Sequence, residues 1–444
     1  MKLVYDIADK PPIKKNLIYA LQQLLAIMAA TLLVPVLVNV NSGTSYMSQS
    51  AALFGAGAGT LFYIFMTRKK SPAFLGSSFA FIAPLSSAVA FGYLGIFLGA
   101  VFAGLVYVVI ALIIKKTGSA WVNKLLPPVV IGPTVALIGL SLCGSAINNL
   151  TNTAVSAANY SLVHILIGLI AFFITVYASV KGSKGMKMIP FIIGIVSSYL
   201  IALVLTLIGN ATGSDALKII NLSAFDNMGL FHMPQFTFLG MFSEGASKIE
   251  NFGSVLNIFA LFAPVAFVVL AEHIADHKNL GSVINRDLIT DPGLDKTLLG
   301  DGIGSAIGSF FGGCPNTTYG ESVGCVAITG NASVSTILIA AVYCLVLSFF
   351  DPFVAFVNSI PSCIIGGVCI ALYGFIAVSG LKMLQPVDLG ENKNLFVVSA
   401  ILVCGIGGLT LKFGAVEISA IATALIVGVL VNVIFNRPAK GTQK

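Results

Sequence analysis

Apolar residues run in blocks along this chain, and short polar punctuation separates the blocks. A membrane-spanning helix needs roughly 20 mainly apolar residues. Breaking the runs at charge, Pro or Gly predicts fourteen segments, centred near residues 16–40, 47–67, 73–90, 93–114, 127–146, 161–180, 188–209, 254–277, 296–312, 316–328, 332–350, 357–378, 394–411 and 415–435. The first run is too long for a signal-peptide core and leads straight into further spans, so no cleaved segment is expected. Two segments read poorly as helices: Phe74–Pro84 and Gly312–Glu321 are rich in Gly, Ser, Thr and Pro. Broken backbone at membrane depth survives only where it is buried in protein or lines a cavity. Two such segments in corresponding halves point to a transporter site.

Composition agrees with a membrane protein. Of 444 residues, 57% are hydrophobic and only 9% charged, and the mean hydropathy is +0.98. That balance excludes a cytosolic enzyme, a nucleic-acid binder and a disordered chain. The net charge of +7 does not signal nucleic acid, because Lys and Arg sit in the short gaps between apolar runs. With the N-terminus inside, 21 of the 24 basic residues fall on the inner side, all but Lys218, Lys248 and Lys412. This is the distribution that cytoplasmic loops carry, and it places both termini in the cytoplasm. The seven Cys are odd in number, mostly within apolar runs and without a CxxC, so they read as small core residues.

The halves repeat an order of features. Gln22-Gln23 in the first span corresponds to Glu272-His273 in the eighth, and each pair precedes a broken span. Seven spans per half would invert the second copy relative to the first.

Acidic residues are scarce: none occurs between Asp9 and Asp215. Glu272 and Glu321, inside later apolar segments, are therefore conspicuous. A carboxylate at the bilayer centre costs on the order of 3 kcal/mol, which holding a proton would reduce. Each is a candidate for binding substrate and for carrying a coupling proton; the plainer alternative is a helix-packing carboxylate. Asp276 lies one turn beyond Glu272 on the same face, and Asp301 is the next acid within a span. Asp351 and Glu417 fall at span ends and receive no role. His273 and His277 lie about 100° around the helix from the carboxylate stripe, the angular step of one residue. Without HExxH or a Cys partner they make a poor metal site. His277 reads as a polar residue at the cytoplasmic end.

Half-helices starting at the broken spans would aim N–H groups into a cavity, while the carboxylates would accept N–H donors. A small planar ring carrying both N–H and C=O groups, such as uracil, fits this constellation. An anion does not, since two glutamates would repel it.

At these residues the sequence resembles the nucleobase–ascorbate transporter family, in particular its bacterial uracil permeases. The similarity covers nearly the whole chain. It is densest in Phe74–Pro84 (FLGSSFAFIAP), Ala271–Asp276 (AEHIAD), Asp291–Gly304 (DPGLDKTLLGDGIG) and Pro315–Gly330 (PNTTYGESVGCVAITG). The resemblance implies an all-α polytopic membrane protein of fourteen spans in two inverted seven-span repeats, with short strands in spans three and ten. A core domain would comprise residues 1–125 and 250–352, and a gate domain residues 126–210 and 353–436. It further implies proton-coupled uracil uptake across the cytoplasmic (inner) membrane by a homodimer, with protons as coupling ion and no other cofactor. By the same resemblance, Glu272 and Glu321 would bond the uracil ring. Backbone amides of Phe79 and Gly320 would meet its carbonyls, and Ser78, Tyr319 and Tyr373 would line the pocket. Glu272, Asp276 and Asp301 would serve proton coupling. Two positions depart from the family: Gln23 stands for His and Ser322 for Asn. The alternatives are a same-family transporter of xanthine, urate or another nucleobase, and, more remotely, a membrane-embedded metal-dependent enzyme.

Overall fold

The computed structural model describes residues 3–153, 156–226, 228–242, 247–413 and 416–435. Lys2, Arg437, Lys440 and Lys444, counted above with the inner charges, lie outside the described residues, as does the side chain of Glu417.

The first half opens with α1 (Ile13–Ser42) and α2 (Gln49–Met66). The strand β1 (Leu75–Ser77) follows, then a 3-10 turn at Phe79–Phe81 that runs into α3 (Ile82–Ala88). Gly92, with φ 72°, turns the chain from there into α4 (Gly92–Thr117), a conformation that Gly adopts without strain. Next come α5 (Ala120–Leu125), α6 (Pro128–Ser141), α7 (Cys143–Thr151), β2 (Asn152–Thr153), β3 (Ser156–Tyr160), α8 (Leu162–Val180), α9 (Lys184–Met188) and α10 (Pro190–Thr212).

The second half contains α11 (Thr237–Met241), α12 (Phe252–Ile284), α13 (Leu294–Gly312), β4 (Asn316–Thr318), α14 (Gly320–Thr329), α15 (Val334–Leu347) and α16 (Asp351–Asn358). It closes with α17 (Ser362–Lys382), α18 (Asn392–Ile406), β5 (Leu411–Phe413), β6 (Val416–Ile418) and α19 (Ala420–Phe435).

Among the described residues, eight helical segments are long and apolar enough to cross a membrane, and α15, α18 and α19 are shorter apolar helices. The difference from the fourteen expected segments has physical causes. The α13 segment carries Asp295, Lys296 and Asp301 among its glycines. The 316–328 segment spends three residues on β4 and leaves a helix of only ten. Phe79–Thr117 forms one segment where two were expected.

β1 and β4 are the broken spans, and they pair antiparallel, Leu75 with Thr318, Gly76 with Thr317 and Ser77 with Asn316. Backbone groups that a helix would have satisfied internally are thus satisfied across the two halves. The two other strand pairs, β2 with β3 and β5 with β6, are antiparallel and fall between or at the ends of expected segments, where the apolar pattern predicted no strand.

Close helix contact here depends on missing side chains. α13 packs against α2 and α4. A methyl group at Gly55 of α2 would collide with the Gly308 carbonyl of α13, and one at Gly104 of α4 with the Gly302 carbonyl. Small residues that let backbones touch are how membrane helices gain packing where lipid removes the hydrophobic drive.

The N-terminal segment is strapped onto the end of this bundle. Val4 N–H donates to the Gly330 carbonyl at 2.8 Å, and Ala332 N–H donates to the Tyr5 carbonyl at 2.9 Å. Asp6 pairs with Arg286, just past the end of α12, and Lys70 with Asp291 at 2.6 Å.

Candidate functional site

A cavity lies where the broken spans meet α12. Its walls on one side are Phe79, Glu272, Ala275, Asp276, Thr317, Tyr319, Gly320 and Glu321. Opposite stand Val135 of α6 and Phe375, Ile376, Ser379 and Met383 of or just beyond α17. About 610 Å³ of empty space lies among these residues, open solvent included.

The local sequence explains how each wall forms. Glu272 and Asp276 are four residues apart on α12, so both project to one side. Thr318 Oγ1 donates to Asp276 Oδ2 at 3.0 Å, tying the helix to β4. α14 starts at Gly320, so the Gly320 N–H has no partner within the helix. Glu321 is the acidic residue in that first turn, where the helix dipole favours negative charge. A methyl group at Gly320 would stand 3.7 Å from Asp276 Oδ1, which measures how near the two elements come. Tyr319 lies over β1: its Oη donates to the Ser77 carbonyl at 2.8 Å, and Gly76 leaves room for its ring. Thr31 Oγ1 of α1 is 3.3 Å from the same Oη.

Of the residues singled out from sequence, Phe79, Glu272, Asp276, Tyr319, Gly320 and Glu321 line this one cavity. Three do not. Ser78 is buried, donates its N–H to the Pro315 carbonyl at 3.0 Å and leaves its Oγ without a described partner. Tyr373 sits behind Phe79, the rings edge to face with centroids 5.8 Å apart. Asp301 is fully buried on α13, with Oδ2 2.6 Å from His273 Nδ1.

His277 differs from its reading as a terminal polar residue. It is 1% exposed, and its Nε2 lies 2.7 Å from Tyr63 Oη of α2. Four-residue spacing from His273 keeps it on the inward stripe, and α12 continues to Ile284, well beyond it. Among the described residues, no group of three or more His, Cys, Asp and Glu is placed to hold a metal ion.

Sequence reasoning missed Val135, Ala275, Thr317, Phe375, Ile376, Ser379 and Met383. Ala275 and Thr317 carried a signal, since they neighbour Asp276 and lie in the second broken span. Ser379, one turn after Phe375 in an apolar helix, carried a fainter one. Val135, Ile376 and Met383 are ordinary residues of apolar helices.

Comparison with known proteins decides the family. Residues 14–413 match the permease family. The chain belongs to that family. This permease is 41% identical to the uracil permease of Bacillus caldolyticus over 437 residues, covering 98% of this chain and 95% of that one. It is 37% identical to the uracil permease of Bacillus subtilis, with the same coverage. It is 33% identical to that of Escherichia coli, covering 97% of this chain and 93% of that one. These relatives are named permeases, and the protein is a multi-pass membrane transporter rather than an enzyme. Its fold is also that of the transmembrane domain of the cyanobacterial bicarbonate transporter BicA, with a TM-score of 0.61 at 16% identity, covering 94% of this chain and 98% of that one. Murine Slc26a9, an anion transporter solved in an inward-facing state, gives a TM-score of 0.61 at 12% identity, covering 96% of this chain and 69% of that one.

Proposed function

We propose that this permease takes up uracil together with protons across the cytoplasmic membrane. The observation that carries the reading is the meeting of Glu272, from α12, and Glu321, beside the Gly320 amide at the start of α14, in one cavity. Carboxylates accept the ring N–H groups, and the backbone N–H groups of Gly320 and Phe79 donate to the ring carbonyls. Phe79 gives the ring an apolar face. Relatives named uracil permeases, similar over nearly their whole length, support this choice of substrate.

Glu272 and Asp276, with Asp301 behind them, hold the coupling proton. Loading a proton neutralises charge in the membrane, and its release inside allows the empty site to return. The protein works by alternating access: residues 1–125 and 250–352 form a core that moves against a gate of residues 126–210 and 353–436. The placement of the cavity between α12–α14 and α6–α17 supports this division. In this reading the fourteen segments are fourteen spans in two inverted repeats, both termini are cytoplasmic, and two copies associate through their gates.

The test is uptake of radiolabelled uracil into cells lacking other uracil transport, with unlabelled uracil, xanthine and urate as competitors. Saturable uptake that uracil competes and a protonophore abolishes is expected. Competition by xanthine but not by uracil would refute the substrate. Uptake indifferent to the protonophore would refute the coupling.

A further inference from the structure

α12 carries two polar stripes. Glu272 and Asp276 face the cavity, while His273 and His277 face the frame formed by α2 and α13 and are both buried. Substrate binding makes no use of the second stripe. Its hydrogen bonds nevertheless constrain where protons can sit.

His277 Nδ1 is 2.8 Å from the His273 carbonyl oxygen, which can only accept. Nδ1 therefore carries a hydrogen, and Nε2 lies 2.7 Å from Tyr63 Oη. That Oη donates to Ser71 Oγ at 2.8 Å, so its single hydrogen serves the Nε2 of a neutral ring only when it turns away from Ser71. Ser71 adjoins Lys70, which is exposed at the end of the bundle and pairs with Asp291.

His273 is bonded at both nitrogens to α13. Nδ1 lies 2.6 Å from Asp301 Oδ2, and Nε2 lies 3.0 Å from Thr297 Oγ1. The Thr297 hydroxyl is also 3.2 Å from the Leu294 carbonyl. Two arrangements satisfy these contacts. In the first, Thr297 donates to Leu294, His273 Nε2–H donates to Thr297, and one proton lies between Nδ1 and Asp301. In the second, Thr297 turns to donate to Nε2, and Nδ1–H donates to an ionised Asp301. The two differ by a single proton, and neither leaves an imidazole nitrogen unpaired.

We propose that His273, Asp301 and Thr297 form a second proton store, separate from the cavity carboxylates, which exchanges with the cytoplasmic end of the bundle through His277, Tyr63 and Ser71. The inference rests on the proton-coupled reading above. On release, Thr297 turns to Nε2, Asp301 becomes a carboxylate and His273 keeps hydrogen on Nδ1 alone. The proton goes to His277, which becomes an imidazolium and donates from Nε2 to Tyr63 Oη. Tyr63 takes that proton as its own passes to Ser71, and the buried Ser71 hydroxyl releases its own proton to water entering from the exposed end at Lys70. One proton moves, and no other bond changes. The hand-over between the stacked imidazoles, with centroids 4.0 Å apart, is the step that needs side-chain movement. Of the other titratable groups, Tyr107 of α4 stands edge-on to His273 with centroids 6.3 Å apart, while Glu272, Asp276 and Glu321 lie on the cavity side. Each is neutral or acidic, so none competes as a resident cation.

The test uses the full-length permease in proteoliposomes, comparing Thr297→Val, Thr297→Ser and Tyr63→Phe with the wild type. Two readouts are taken: uracil exchange at equal pH, which needs no net proton movement, and net accumulation driven by a pH gradient. Thr297→Val and Tyr63→Phe should keep exchange within about twofold and lose about tenfold or more in accumulation, as expected when a proton-transfer group is removed. Thr297→Ser, which retains the hydroxyl, should accumulate like the wild type. Wild-type accumulation in both Thr297→Val and Tyr63→Phe would overturn the store. Loss of exchange in step with accumulation would also overturn it, and would make these residues positioning groups. A wild-type protein that exchanges uracil but ignores the pH gradient would instead overturn the proton-coupled reading on which the store depends.

Discussion

Gln23 of α1 donates its side-chain amide to the hydroxyl of Ser322, the residue that follows Glu321 on α14. Both side chains are buried, at 2% and 0% exposure. Gln23 and Ser322 are therefore in contact, and together they form one joint between α1 and the half-helix that presents Glu321. A hydrogen bond of this kind contributes roughly 1 kcal/mol, and groups in contact couple in double-mutant cycles. Gln23→Ala and Ser322→Ala should each weaken uracil binding several-fold, and the double variant should be little worse than either. Equilibrium binding to purified protein measures this; strictly additive losses would contradict the joint.

Removing either cavity carboxylate should be far more severe. Glu272→Ala and Glu321→Ala should abolish uracil uptake in whole cells while membrane levels stay normal. The milder Glu321→Gln keeps an acceptor but loses charge assistance. A charge-assisted bond exceeds a neutral one by about 1–1.5 kcal/mol, so the change should cost about five- to tenfold in affinity. Full uptake by Glu321→Ala would dismiss the cavity as the binding site.

The glycine contacts predict a stability effect far from the substrate. Gly55→Leu would drive a side chain into the Gly308 carbonyl across the α2–α13 contact. Overpacking costs typically 1–3 kcal/mol, and backbone on the opposite side cannot turn away as a side chain can. A lower melting temperature in detergent is expected, with uracil restoring part of it by binding the folded form. An unchanged melting curve would mean that the helices separate without cost.

By contrast, Asp6→Asn should matter little to stability. The Asp6–Arg286 pair is about half exposed, with side chains at 43% and 50%, and such pairs contribute at most about 1 kcal/mol. The main-chain bonds of the strap would remain. Thermal melts at low and high salt should coincide for the variant within error; a large loss would assign the charge pair a greater share of the strap.

The sequence made Glu272, Asp276, Asp301 and Glu321 visible because a charge inside an apolar run has no compositional excuse. It made the broken spans visible through Gly, Ser, Thr and Pro. It also separated the histidines from the carboxylates by helical angle, and the structure keeps them on different faces. What the histidines would meet could not be read, because Tyr63 and Thr297 approach through packing between distant segments. Val135 and Ile376 were illegible for a related reason. An apolar side chain facing a cavity and one facing lipid look alike in sequence, and only their neighbours tell them apart.

The pairing of β1 with β4 bears on how the protein is made. Leu75 leaves the ribosome 243 residues before its partner Thr318. At roughly 5–20 residues per second, the first strand waits about 12–50 s for the second. Throughout that interval its main-chain groups, buried in the finished bundle, lack their final partners. The early helices must therefore be held by the insertion machinery, by water or by provisional contacts until the second half arrives. Chains truncated before residue 316 should be recognised by membrane proteases as unfinished, even when every one of their helices has been inserted.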